Sequence, residues 1–253
     1  MPYPRIRRIS LATLCLAISG AAFADAKDDA VAAKCPAVAA WTEKMNKAFP
    51  ALSADGVERD NKAGGFSDPD LRNELRTRLE LDQRTRNEWI ASPQDKSRYE
   101  AMAKVDKDNL AWIKARFTKD GFPHANAVGL AGVNAAFILV QHAVDDVPFM
   151  QSMLPQVTAR GEAGELKKGD VAMLTDRVLR HEGKPQRYGT QYSGTNMKDL
   201  SAMKMDPVED PAHLDERRAT MDLMPHTDYE CALRIFYAPA PAPAPAPATS
   251  AAK

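Results

Sequence analysis

The sequence has no basic surplus. Its 34 lysines and arginines face 34 aspartates and glutamates. A domain that binds nucleic acid by neutralising phosphates needs such an excess, so that class is excluded. Reactive signatures are missing as well. The chain has no His-Glu-x-x-His, no paired Cys-x-x-Cys, no Gly-x-Ser-x-Gly, no P-loop and no dinucleotide-binding glycine fingerprint. Five histidines (His124, His142, His181, His213 and His226) lack metal-ligand spacing, and zinc at His213 and His226 is disfavoured. No metal or other cofactor is expected. No repeat of solenoid length is present. What remains is a chain of 253 residues, 44% hydrophobic, too apolar for disorder and long enough for one domain with a real core.

The N-terminus reads as an export signal over residues 1–24. Arg5, Arg7 and Arg8 precede the apolar run Ile9 to Ile18, and Ala22-Phe23-Ala24 supplies a small-x-small cleavage site. The run is shorter than the ~20 residues that span a bilayer. Leu14 directly before Cys15 departs from a lipoprotein pattern. The expectation is therefore a periplasmic or secreted product with no stable membrane span after cleavage. The mature chain would carry 31 basic and 34 acidic residues and keep two cysteines, Cys35 and Cys231. An oxidising compartment favours a bridge between them over two buried thiols. At the other end, alternating Ala and Pro over residues 238–248 predict an extended, unpacked tail through 253.

Between these ends the pattern is helical. Val38, Trp41, Met45 and Phe49 mark a short helix over 35–49, and the Gly- and Asp-rich stretch 51–66 reads as loop. Asp68 caps a stronger helix with Pro69 in its first turn, and Leu71, Leu75, Leu79 and Asp82 lie along one side. Ser92-Pro93 starts another, stopped by Gly121-Phe122-Pro123. Segments 125–143, 149–160, 169–182 and 211–221 are further helices, and 186–205 is a hairpin. The expected class is mainly α: a single helical domain (67–237) with a small β-hairpin, preceded by an N-terminal helix and loop (25–66).

Polar groups stand out in three places. Segment 125–143 predicts a bulky face of Val133, Ala136, Phe137 and Val140, with small residues and His142 opposite, bordered by Asn134 and Gln141. His142 has base chemistry; Asp145, Asp146, Asp176 and Asp82 are candidates to orient it. A buried helix whose histidine donates to a carbonyl explains the same pattern. Asp176 and Arg177 flank the core side of helix 169–182, where periodicity favours a solvated Asp176–Arg180 pair. Gln186, Tyr188 and Thr190 alternate with Arg187, Gly189 and Gln191, and Gly189 marks a close approach. Arg217 and Arg218 follow Asp215 and Glu216, a pattern of a solvated face.

These ordered segments resemble an uncharacterised bacterial domain family of unknown function. The resemblance rests on Arg72-Asn73-Glu74-Leu75, Asp82-Gln83 with Arg86, Gly121-Phe122-Pro123, Gln141-His142, Asp176-Arg177-Val178, Gly183 to Gln191 and Arg217-Arg218. It covers roughly residues 68–229. Phe122 stands where that pattern has tryptophan and Asp222 where it has glycine. The family brings no activity with it. It implies that Gln141, His142, Asp176, Arg177, Gln186, Tyr188 and Gln191 form one site. On that footing the expectation is a metal-independent hydrolase or transferase. His142 would be its base, Asp176 the orienting carboxylate and Arg177 the charge neutraliser, with Gln141, Gln186, Tyr188 and Gln191 holding substrate. The alternatives are a non-catalytic domain binding a cell-envelope ligand or protein, and a purely structural polar network.

Overall fold

The computed structural model describes residues 23–194 and 203–237. The expected leader, except for Phe23 and Ala24, and the Ala/Pro tail lie outside these residues. Ten helices are described: α1 (Phe23–Lys34), α2 (Pro36–Ala48), α3 (Ala54–Ala63), α4 (Pro69–Ala91), α5 (Lys96–Asp120), α6 (Ala125–Gln141), α7 (Val147–Glu162), α8 (Lys168–His181), α9 (Leu214–Thr220) and α10 (His226–Phe236). A two-stranded antiparallel ladder pairs β1 (Tyr192–Ser193) with β2 (Lys204–Met205). The fold is mainly α, as the sequence pattern requires.

Helix α6 is the axis. It packs against α3, α4, α5, α7 and α8. From Gly132 to Gln141 every residue except Asn134 is buried. The expected division of this helix into a bulky face and an opposite face is therefore corrected, because neighbours cover it on nearly all sides. The main core joins Leu75, Ile113, Phe117, Phe137, Ile138, Met150 and Leu174. A second cluster, with Val38, Trp89, Tyr192, Met224 and Tyr229, lies under the N-terminal helices and α10.

Helix starts follow side-chain capping. Asp68 Oδ1 accepts from Leu71 N at 3.0 Å, with Pro69 behind it. Helix α5 begins at Lys96 rather than Ser92, because Asp95 Oδ1 takes the amides of Ser97 and Arg98. Residues 51–66 are not all loop. Ser53 Oγ accepts from Gly56 N, and α3 runs from there to the Gly64-Gly65 pair, which ends it in left-handed backbone. Gly129 kinks α6 at φ 72°, and a Cβ there would sit 2.5 Å from Arg72 Nη1. The amide of Leu130 turns to Asp60 Oδ2 at 2.8 Å, which ties α3 to the kink.

Cys35 and Cys231 form a disulfide with a Cα–Cα distance of 6.1 Å across 196 residues of sequence. It staples the start of α2 to α10. In the chain-entropy account, closing a loop that long is worth up to about 5 kcal/mol. Cys35→Ser/Cys231→Ser should therefore lower the urea midpoint strongly, by an equivalent of about 2–5 kcal/mol. A midpoint within error of the wild type would mean that the bridge constrains nothing.

Candidate functional site

Two arrangements bear on function: a buried polar network made of the singled-out residues, and a cavity beside it.

The network centres on Asp176, which is wholly buried in α8. Its carboxylate takes four donors from one turn: Arg187 N at 2.7 Å, Tyr188 N at 3.0 Å, Thr190 N at 3.0 Å and Thr190 Oγ1 at 2.9 Å. Among the described residues the turn has no strand partner over Arg187–Thr190, so a side chain supplies the acceptors that a ladder would. Residues 186–190 are therefore not an alternating strand: Gln186 makes one isolated parallel bridge to Val208, and the antiparallel ladder starts at Tyr192. Gly189 adopts φ 62°, and a Cβ there would lie 2.7 Å from Met205 Sδ. Close approach is what the glycine permits.

The other members of the set are bound into the same structure. Gln186 Nε2 donates to the carbonyls of Gln191 (2.9 Å) and Asp206 (2.8 Å), and its Oε1 accepts from Gln191 N at 2.8 Å. Arg177 Nη1 donates to the Gln141 carbonyl at 2.6 Å and Nε to Gln191 Oε1 at 3.2 Å. A cation thus meets the C-terminal carbonyl end of α6, where the helix dipole favours it. Arg218, also wholly buried, donates to Met224 O, Tyr188 O and Gly189 O, with its guanidinium 5.1 Å above the Tyr229 ring. The expected solvated positions of Asp176, Arg177 and Arg218 are all corrected by this packing. Arg180 pairs with Asp206 instead of Asp176. Tyr188 contributes its backbone, and the Gln141 side-chain amide is buried with no partner among the described residues.

His142 stands apart from Asp176. Its orienting carboxylate is Asp82 of α4, whose two oxygens lie 2.9 and 3.0 Å from Nδ1. Arg86 Nη2 then joins Asp82 (3.5 Å) to Asp106 of α5 (2.6 Å). Burial opposes ionisation of Asp82, but His142, Arg86 and Gln83 together hold its carboxyl well below the ordinary range. Burial, then the Arg86 charge, push the imidazole below its ordinary value, and Asp82 offsets this only in part. Burial raises Asp106. The histidine is thus neutral near pH 7. Nδ1–H donates to Asp82, and Nε2 offers a lone pair with no partner among the described residues. Asp82, Asp106 and His142 could each offer a metal one ligand atom, all within 4.8 Å of one another. The Arg86 guanidinium already bridges the two carboxylates and supplies the positive charge that a metal would bring. His213 and His226 pair with Asp210 and Asp215, not with each other.

The cavity lies elsewhere. It measures about 900 Å³, between helices α1–α3 on one side and α7–α10 on the other. Val38, Trp41, Leu52, Leu166, Met173 and Met224 make its apolar wall, and Asn134, Asp170, Thr190 and Arg218 its polar one. Thr190 and Arg218 belong to the network, so the network shapes the cavity floor. None of the seven expected site residues lines it. Sequence reasoning missed Asp106, whose partner Arg86 comes from another helix, and Asp170, whose burial arises only from packing. Asp82 was visible as one of four candidates.

Asp176→Ala should destabilise the fold by about 3–5 kcal/mol in urea titration at pH 7, since it strands four donors, of which Thr190 N and Oγ1 are buried. Asp176→Asn, keeping one acceptor oxygen, should cost less. An alanine variant of wild-type stability would show that the turn does not need the carboxylate. Among known proteins, a family model described as a family of unknown function (DUF6624) matches residues 69–238. No curated protein and no solved structure matches the chain. The kink, the Asp82–His142 pair and the Asp176 turn all fall inside the matched span, and the chain belongs to the DUF6624 family.

Proposed function

We propose that this is an exported binding domain whose ligand site is the cavity between the N-terminal helices and the family core. The cavity itself carries the reading. A volume of about 900 Å³ falls in the range of small-molecule sites, and an apolar wall facing a few polar groups is their usual chemistry. Three methionines (Met45, Met173 and Met224) among the lining residues suit an apolar ligand of variable shape. Export is supported by the leader pattern, and no described helix is long and apolar enough to cross a membrane. The polar residues first read as a hydrolase or transferase site serve this reading differently. They hold the floor in place.

The test uses N-phenyl-1-naphthylamine, a neutral apolar probe that brightens away from water. Purified mature protein should bind it with micromolar affinity. Ala39→Trp, which adds an indole to the α2 wall, should weaken binding at least tenfold without lowering the melting temperature. Equal binding by both proteins, or none by either, would overturn the cavity reading.

A second reading is favoured by the Asp82–His142 pair, whose free Nε2 has the form of a general base. It predicts hydrolase or transferase turnover that falls on the acid side with a pKa below 6.5 and disappears in His142→Gln. The depressed value also fixes a stability effect. The unfolded imidazole takes a proton that the folded one refuses, so stability should fall as pH drops below about 6.5. A His142 titration by NMR at or above 6.5 would contradict both expectations.

A further inference from the structure

Three carboxylates among the described residues are more than nine-tenths buried: Asp82, Asp170 and Asp176. Two are matched. Asp82 meets His142 and Arg86, and Asp176 meets four donors. Asp170, in the first turn of α8, is not. Among the described residues, the hydrogen bond acting on its carboxylate comes from the Lys167 amide, and the charge acting on it belongs to the exposed Lys167. Burial accordingly pushes its carboxyl up to about 6. A buried carboxylate without a cation is costly to a fold, and Asp170 lines the cavity.

Resting on the cavity reading, we infer that the ligand is an amphipathic amine: its ammonium pairs with Asp170 and its apolar body lies along Met173, Leu166, Val38 and Trp41. The cation would return the interaction energy that Asp170 loses by leaving water. Trp41 offers a ring face that also suits an ammonium. The other buried charge on the wall, Arg218, already gives donors to three carbonyls. Its Nη2, which has no partner among the described residues, suits a neutral oxygen on the ligand body. The remaining charged lining groups are Glu43 and Lys47 of α2, Asp55 and Arg59 of α3, Lys167 and Lys168 at the start of α8, and Asp222 after α9. All of these are at least partly exposed, so solvent screens them more than it screens Asp170.

The experiment displaces N-phenyl-1-naphthylamine with octylammonium, octanoate or octanol, each below its micelle concentration. Octylammonium should compete at least tenfold better than the other two. Its advantage should grow about tenfold from pH 5 to pH 7.5, as Asp170 ionises while the amine stays charged. Asp170→Asn should remove the advantage while leaving probe binding intact, and Asp170→Glu should keep it. The asparagine variant should melt at least as high as the wild type at pH 7.5. A carboxyl whose pKa is raised on folding contributes stability below about 3.8 and loses it as pH rises through about 6. Equal competition by the three compounds, or the same amine preference in Asp170→Asn, would overturn the inference while the cavity reading stands. Failure of the probe to bind would overturn the cavity reading, and with it this one.

Discussion

One carboxylate organises the C-terminal third of the molecule. Asp176 collects the donors of the Arg187–Thr190 turn, and the shaped turn then presents its own carbonyls outward. Tyr188 and Gly189 give theirs to Arg218, which reaches on to Met224 at the approach to α10. Gln191, next in the chain, passes through Arg177 to the last carbonyl of α6. Helices α6, α8, α9 and α10 are thereby registered through polar atoms, in a region where a two-residue ladder could bury little apolar surface. Such a network is stabilising only when complete, so each member constrains the others.

The same logic explains His142. A helix covered on nearly all sides cannot offer its C-terminal carbonyls and first flanking side chain to water, so neighbouring helices must satisfy them. Arg177 of α8 answers the Gln141 carbonyl, and Asp82 of α4 answers the imidazole. The two partners approach from different helices. The Gln-His dipeptide therefore serves two separate contacts rather than facing one opening.

Local signals were legible in the sequence, and environment was not. Asp68-Pro69, Gly121-Phe122-Pro123 and Gly189 acted through their own backbone chemistry, and each did what its residue type dictates. Cys35 and Cys231 could be paired because only two cysteines follow the leader. By contrast, Arg177, Asp176 and Arg218 look like ordinary helix-surface charges in one dimension. Only the packing of other elements over them reveals that they are interior. The loop expected over 51–66 failed for a related reason. Asp and Gly dominate its composition, yet Ser53 and the paired glycines bound a helix between them. Asp222 adopts φ 52°, a left-handed backbone that its short polar side chain tolerates.

The allocation of charge separates scaffold from ligand chemistry. Where a buried acid supports the fold, the chain supplies it with several partners: His142 and Arg86 at Asp82, and the Arg187–Thr190 turn at Asp176. Asp170 receives one amide and no buried cation, although the same helix carries Arg177 two turns on. The wall opposite Asp170 comes from α1–α3, which precede the span matched by the family model and are held down by the disulfide to α10. The cavity is therefore composite: its polar floor belongs to the family core, and much of its apolar wall belongs to a segment outside it. Changes in α1–α3 can reshape what the wall accepts without disturbing the Asp176 turn, because no hydrogen bond described for that turn involves them.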